Sequence, residues 1–155
     1  MATIAIGCDD AAFHLKQRLV EFLAESGHEV KDFGCHSEDP VDYPDIALEV
    51  AQAVARGEFE SGILTCGTGL GMSITANKIP GVRAAQCHDV YSAERARRGS
   101  GSARRWTCAR VIGPGLAEKV VEAFLAADFQ GGTSAPKVSK MNAIDKRFRA
   151  PGTAE

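Results

Sequence analysis

The chain has 155 residues, enough for one domain whose hydrophobic core needs neither disulfides nor a structural metal. Hydrophobic residues make up 45% and charged residues 25%, ordinary values for a globular protein. The formal net charge of −2 excludes a global electrostatic case for nucleic acid or an anionic membrane as partner.

In chain order, strands and helices alternate. Thr3 to Ile6 reads as a short buried strand ending at Gly7. A helix follows from near Ala11, with Leu15, Leu19, Phe22 and Leu23 on one face, and Gly27 stops it. Glu29 to Phe33 is a second strand, followed by a polar loop from Cys35 to Tyr43. Pro44 suits a first helical position, and Ile46, Val50, Ala53 and Val54 repeat the apolar face. Ser61 to Thr65 is a third strand, running into a glycine turn from Cys66 to Gly71, with a helix from near Met72. Val82 to Cys87 is a fourth strand and Ser92 to Arg98 a helix. Trp106 to Ile112 is a fifth strand. Pro114 opens a helix with Leu116, Val120, Ala123 and Phe124 inward. After Gly131-Gly132 the tail is polar, with a short helix from Val138 to Lys146.

This alternation predicts an α/β fold, a Rossmann-like three-layer sandwich on a five-stranded parallel sheet. The organisation expected is a Rossmann-like domain over 1–132 and a C-terminal tail with a short helix over 133–155. Right-handed crossovers bring the loops that follow the strands to one rim, where ligands of such sheets bind. Asp9, Asp10, the Cys66–Gly71 turn and His88 all follow a strand, so they gather there.

The five cysteines, Cys8, Cys35, Cys66, Cys87 and Cys108, form no Cys-x-x-Cys pair, and no metal-ligand cluster is visible. Their odd number, without a signal peptide, points to a reducing compartment, so the cytoplasm is expected. No apolar run approaches the roughly 20 residues of a membrane span.

The segment Cys66-Gly67-Thr68-Gly69-Leu70-Gly71-Met72 is the most informative. Its glycines let the backbone turn tightly and expose consecutive N–H groups, while the following helix aims its positive end at the same place. Such a turn binds an anion or a developing oxyanion and favours the thiolate of a nearby cysteine. A thiolate beside an oxyanion site can take a proton next to a carbonyl. A plain strand-to-helix turn with an inert cysteine fits the pattern equally well. The spacing is neither a dinucleotide fingerprint nor a P-loop. Asp9 either caps the helix that follows or accepts sugar hydroxyls. Asp42 or Asp45 caps the second helix, and Tyr43 is placed to wall a pocket.

Several segments together resemble the type B ribose-5-phosphate isomerases, which include the galactose-6-phosphate and allose-6-phosphate isomerases. They are Ile4-Ala5-Ile6-Gly7 with Asp9; Asp32-Phe33-Gly34; Val41-Asp42-Tyr43-Pro44-Asp45; Gly62-Ile63-Leu64 before the Cys66 turn; Ala76-Asn77-Lys78; Arg83-Ala84-Ala85; Cys87-His88-Asp89; Ala109-Arg110-Val111-Ile112-Gly113-Pro114; and Phe129-Gln130-Gly131-Gly132. The resemblance spans residues 3 to 146. It implies a homodimer or tetramer with shared sites, the tail completing the dimer, and neither metal nor organic cofactor. It implies aldose–ketose isomerisation of a sugar phosphate, ribose 5-phosphate and ribulose 5-phosphate first, through a cis-enediolate. Cys66 would be the base and Thr68 would assist proton transfer. The amides of Gly67, Gly69 and Gly71 would hold the oxyanion, and Asp9, Asp10, Tyr43, Ser100, Arg110 and Lys137 would line the substrate site.

The departures from the family pattern matter too. Asp10 stands where a phosphate-binding histidine is usual. Gly99 and Ser100 replace a His-Asn or Ser-Asn pair whose histidine assists ring opening. Thr133 replaces an arginine, and Lys137 keeps a charge without the bidentate fork. Positions 99 to 108 depart as a block without a change in length. These features keep open an isomerase of tetrose or hexose phosphates, or a non-catalytic sugar-phosphate-binding relative. The five arginines between Glu94 and Arg105 are compatible with a solvated loop or with phosphate ligands, whereas no interleaved aromatics support nucleic acid.

Overall fold

The computed structural model describes residues 1–100, 105–109 and 111–149, with side chains for 1–99 and 111–149. The elements are β1 (Thr3–Cys8), α1 (Phe13–Glu25), β2 (Glu29–Asp32), α2 (Tyr43–Ala55), β3 (Ser61–Cys66), α3 (Leu70–Asn77), β4 (Ala85–Gln86), α4 (Val90–Ser100), β5 (Arg105–Ala109), α5 (Pro114–Leu125) and α6 (Ala135–Phe148). All pairings are parallel, in the order β2-β1-β3-β5-β4. The α/β class with a parallel sheet is therefore the one that the alternation predicts.

Every residue of β3 is buried, as a central strand covered on both faces requires. On one face, Ile4, Ile6 and Ile63 pack against Leu19 and Leu23 of α1, Ala93 of α4, and Val120 and Phe124 of α5. On the other, Ala5 and Leu64 meet Val50 and Val54 of α2 and Met72 and Ala76 of α3. Full burial of each large side chain contributes about 1.5–3 kcal/mol. The second face is built for close approach. A Cβ at Gly7 would lie 2.7 Å from Ile46 of α2, so only glycine lets that helix sit on β1. Lys16 is a buried cation on α1. Its Nζ donates to Asp32 Oδ2 and to the Cys35 carbonyl, both at 2.6 Å, and so ties α1 to the loop after β2.

Several boundaries differ from those read along the chain. The fourth strand shrinks from Val82–Cys87 to two residues because its backbone is used elsewhere. Val82 N–H closes a turn on Ile79, and the Asn77 side chain takes both the N–H and the carbonyl of Ala84. The fifth strand ends at Ala109 because its ladder partner β3 ends opposite it, at Cys66. The tail helix is longer than expected, starting beside Pro136. A 3-10 turn over Asp10–Ala12 precedes α1, which begins at Phe13. Among the described residues no helix is long and apolar enough to cross a membrane.

Candidate active site

Cys66 is the last residue of β3 and is buried, at 6% exposure. The chain then turns through Gly69, whose φ of +78° lies in the left-handed region that glycine favours, and enters α3. Across this turn the Gly69 N–H points back at the Cys66 sulfur, 3.4 Å away. Leu70 N–H faces the Thr68 hydroxyl oxygen at 3.4 Å. The first turn of α3 leaves the N–H of Gly71, which is half-buried, without an intrahelical partner, whereas Met72 is fully buried. The site thus combines a thiol, a hydroxyl and the Gly71 N–H at the positive end of a helix.

Asp9 engages two segments of the chain at once. One carboxylate oxygen accepts from Ala12 N–H at 3.0 Å and so caps the turn before α1. The other accepts from Gly67 N–H at 3.1 Å, 58 residues further along the chain. The carboxylate therefore pins the Cys66 turn to the end of β1. Two of the three glycine amides expected at an oxyanion are therefore already engaged. Gly67 N–H serves Asp9 and Gly69 N–H serves the sulfur, which leaves Gly71 of the three.

Tyr43, at the start of α2, lies against the same turn. A Cβ at Gly71 would come within 2.5 Å of its ring and hydroxyl oxygen, so the tyrosine packs directly on the turn. Asp42 precedes α2 but makes no side-chain cap. Asp10 stands half-buried in the 3-10 turn at this rim.

Two other expected site residues are not brought to this rim. A parallel sheet returns each helix to the opposite edge, and α4 runs from the end of β4 to the start of β5. Ser100, the last residue of α4, therefore lies at the edge away from Cys66. A bond from Gln130 N–H to the Arg98 carbonyl, 3.3 Å, holds the tail beside it. Lys137, in the first turn of α6, follows closely. A six-residue strand spans about 20 Å, so neither residue shares a small substrate with Cys66 of the same chain. Arg110 lies outside the described residues. Two clefts, about 250 Å³ between α1 and α5 beside Phe22 and Glu122 and about 630 Å³ against α6 beside Pro80 and Arg149, also lie away from Cys66.

Reading along the chain missed Gln86, and it assigned His88 no role. The Gln86 side-chain amide donates to the Thr68 carbonyl and lies 3.3 Å from His88 Nε2. No local signal marks Gln86, because its partner follows a different strand. The other thiols differ from Cys66 in setting. Burial, with Asp89 nearby, pushes the Cys87 thiol up to about 11. Burial pushes Cys8 up further, helped by Cys35, whose sulfur is 3.5 Å away. Among the described residues no group of three or more His, Cys, Asp or Glu could hold a metal.

The family model described as Ribose/Galactose Isomerase matches residues 4–141. D-erythrulose-4-phosphate isomerase of Pectobacterium atrosepticum is 49% identical over 143 residues, covering 91% of this chain and 93% of that protein. Ribose-5-P isomerase B of Listeria innocua is 49% identical over 146 residues, covering 94% and 99%. The structure of ribose-5-phosphate isomerase B of Clostridium thermocellum superposes with a TM-score of 0.91 at 45% identity, covering 94% and 99%.

Proposed function

The chain belongs to the ribose/galactose isomerase family and is an aldose–ketose isomerase of sugar phosphates, and on that premise we propose that Cys66 is its base and ribose 5-phosphate with ribulose 5-phosphate its substrate pair. The observation that carries the assignment of the base is the Gly69 N–H aimed at the Cys66 sulfur at the head of α3. A hydrogen bond to a sulfur favours the form that carries negative charge.

In the open-chain aldose, the Cys66 thiolate removes the proton on C2. The electron pair moves to C1–C2 and the charge to O1, giving a cis-enediolate. The thiol returns the proton to C1. The proton on O2 passes to O1, with the Thr68 hydroxyl in reach of the exchange. The N–H of Gly71, at the positive end of α3, stabilises the charge as it forms. Asp9 holds the turn in place, and Tyr43 bounds the site.

The reading also includes a Rossmann-like three-layer sandwich on five strands, a cytoplasmic setting and a twofold homodimer. The separation of Ser100 and Lys137 from Cys66 within one chain supports the dimer, because a second copy turned end over end would bring them to it. The tail over 133–155, with α6, would complete that contact.

A second substrate reading, a tetrose phosphate, is favoured by Gly99, which offers no acid or base for ring opening. An aldotetrose 4-phosphate carries phosphate on the oxygen that would close its ring, so it needs no such group. The relative from Pectobacterium atrosepticum bears a tetrose phosphate in its name. Assays on ribose 5-phosphate and on erythrulose 4-phosphate test both readings. The expected result is turnover that Cys66→Ala abolishes with the fold intact. Near-normal turnover by that variant removes Cys66 from the mechanism, and a higher kcat/KM on the tetrose selects the second reading.

A further inference from the structure

A trans peptide is a rigid plane whose C=O and N–H point in opposite directions. In the plane joining Thr68 to Gly69, the N–H faces the Cys66 sulfur at 3.4 Å. The carbonyl of the same plane accepts from the side-chain amide of Gln86. Gln86 is the last residue of β4, and β5 lies between it and β3 in the sheet. Its side chain reaches past β5 to lie over Gly69, where a Cβ would sit 3.1 Å from its Nε2. His88 Nε2 lies 3.3 Å from the same nitrogen. An amide NH₂ has two donor protons. One serves the Thr68 carbonyl, and the other serves His88 when the imidazole carries its proton on Nδ1. The Thr68 carbonyl selects the amide orientation, since the flipped amide would set its oxygen against it, and the bond to His88 braces the amide in that orientation.

We infer that Gln86, oriented by His88, is a positioning residue for the isomerisation, holding the Thr68–Gly69 peptide so that its N–H stays on the Cys66 sulfur. A glycine on one side of a peptide lets the plane swing, and Gly69 is such a pivot. A donor on the carbonyl stops the swing and also strengthens the N–H at the other end of the plane, because linked hydrogen bonds polarise one another. The inference rests on the reading of Cys66 as base, through which Gln86 acts without touching substrate.

The test uses variants of the whole chain with two readouts. Gln86→Glu keeps the shape but sets a carboxylate against the Thr68 carbonyl, and Gln86→Leu removes the donor. Both should lower kcat about tenfold or more with KM within about twofold, since only the reacting sulfur is affected. Iodoacetamide alkylation, read on the Cys66 peptide by mass spectrometry, should slow by a similar factor near pH 7. His88→Phe should show a smaller loss of the same kind, and His88→Gln, which restores an acceptor, should recover part of it. Alkylation needs no substrate, so it reads the peptide even if Cys66→Ala retains turnover and the base assignment fails. Parental alkylation rates near pH 7 in folded Gln86→Glu and Gln86→Leu would overturn the inference, as would a change confined to KM. Should both Gln86 variants fail to fold, a parental rate in His88→Phe overturns it.

Discussion

Replacing Asp9 separates its clamp role from a substrate role. Its two oxygens accept from Ala12 N–H at 3.0 Å and Gly67 N–H at 3.1 Å, and the residue is 9% exposed. Hydrogen bonds to a charged acceptor contribute about 1.5–3 kcal/mol each, and a lost helix cap alone costs about 1 kcal/mol. Asp9→Ala removes both bonds and leaves Gly67 N–H unsatisfied, a loss of about 3–4 kcal/mol. Asp9→Asn keeps one acceptor oxygen and turns an NH₂ towards the other N–H, a loss of about 2 kcal/mol. At roughly 2–4 °C per kcal/mol for a domain of this size, the expected falls in Tm are about 6–16 °C for Ala and about 4–8 °C for Asn. The assay is thermal unfolding at one protein concentration, since an oligomer's Tm depends on it. If Asp9→Asn leaves Tm within about 1 °C of the parent while KM rises severalfold, the carboxylate serves substrate and the clamp argument fails.

Native-state alkylation near pH 8 should label Cys66 well before Cys87, whose thiol is pushed up to about 11, and before Cys8, pushed higher by burial; peptide mapping that finds Cys8 or Cys87 modified first contradicts the environments described. Gly71→Ala drives a methyl into the Tyr43 ring at 2.5 Å, and a displaced site wall should lower kcat/KM on the order of tenfold to a hundredfold. Adding Tyr43→Ala should recover part of that loss, and strict additivity in the double mutant would show that the two residues do not meet. Asp89 accepts from the Ser92 N–H at 2.7 Å and hydroxyl at 2.6 Å, which holds its carboxyl below the usual range. A depressed folded-state value means that the stabilisation is present above the unfolded carboxylate range and lost as pH falls through the folded value. The gap in urea midpoint between the parent and Asp89→Ala should therefore narrow on acidification, and a gap that widens refutes a stabilising role for the bonds from Ser92.

Local pattern was enough for the parts of this protein that depend on neighbours in sequence. Apolar residues at helical spacing in α1, α2 and α5, and the buried run of β3, determine the elements and their order. Parallel connection then determines that Asp9, Cys66 and His88 follow strands to one rim. The glycine turn and its cysteine were legible for the same reason, since φ and N–H exposure are properties of a few consecutive residues. Tertiary structure decided whatever depends on which strands and loops become neighbours. The clamp that Asp9 forms on Gly67, 58 residues away, carried no signal in the sequence around either residue. Gln86 carried no signal, because the carbonyl it holds follows β3, across β5 from its own strand. The fourth strand looked long because periodicity reports apolar faces, whereas the Asn77 side chain decides which backbone groups stay free to pair. Ser100 and Lys137 lie at the far edge because each crossover carries the chain back across the sheet, a separation that residue type and spacing do not encode.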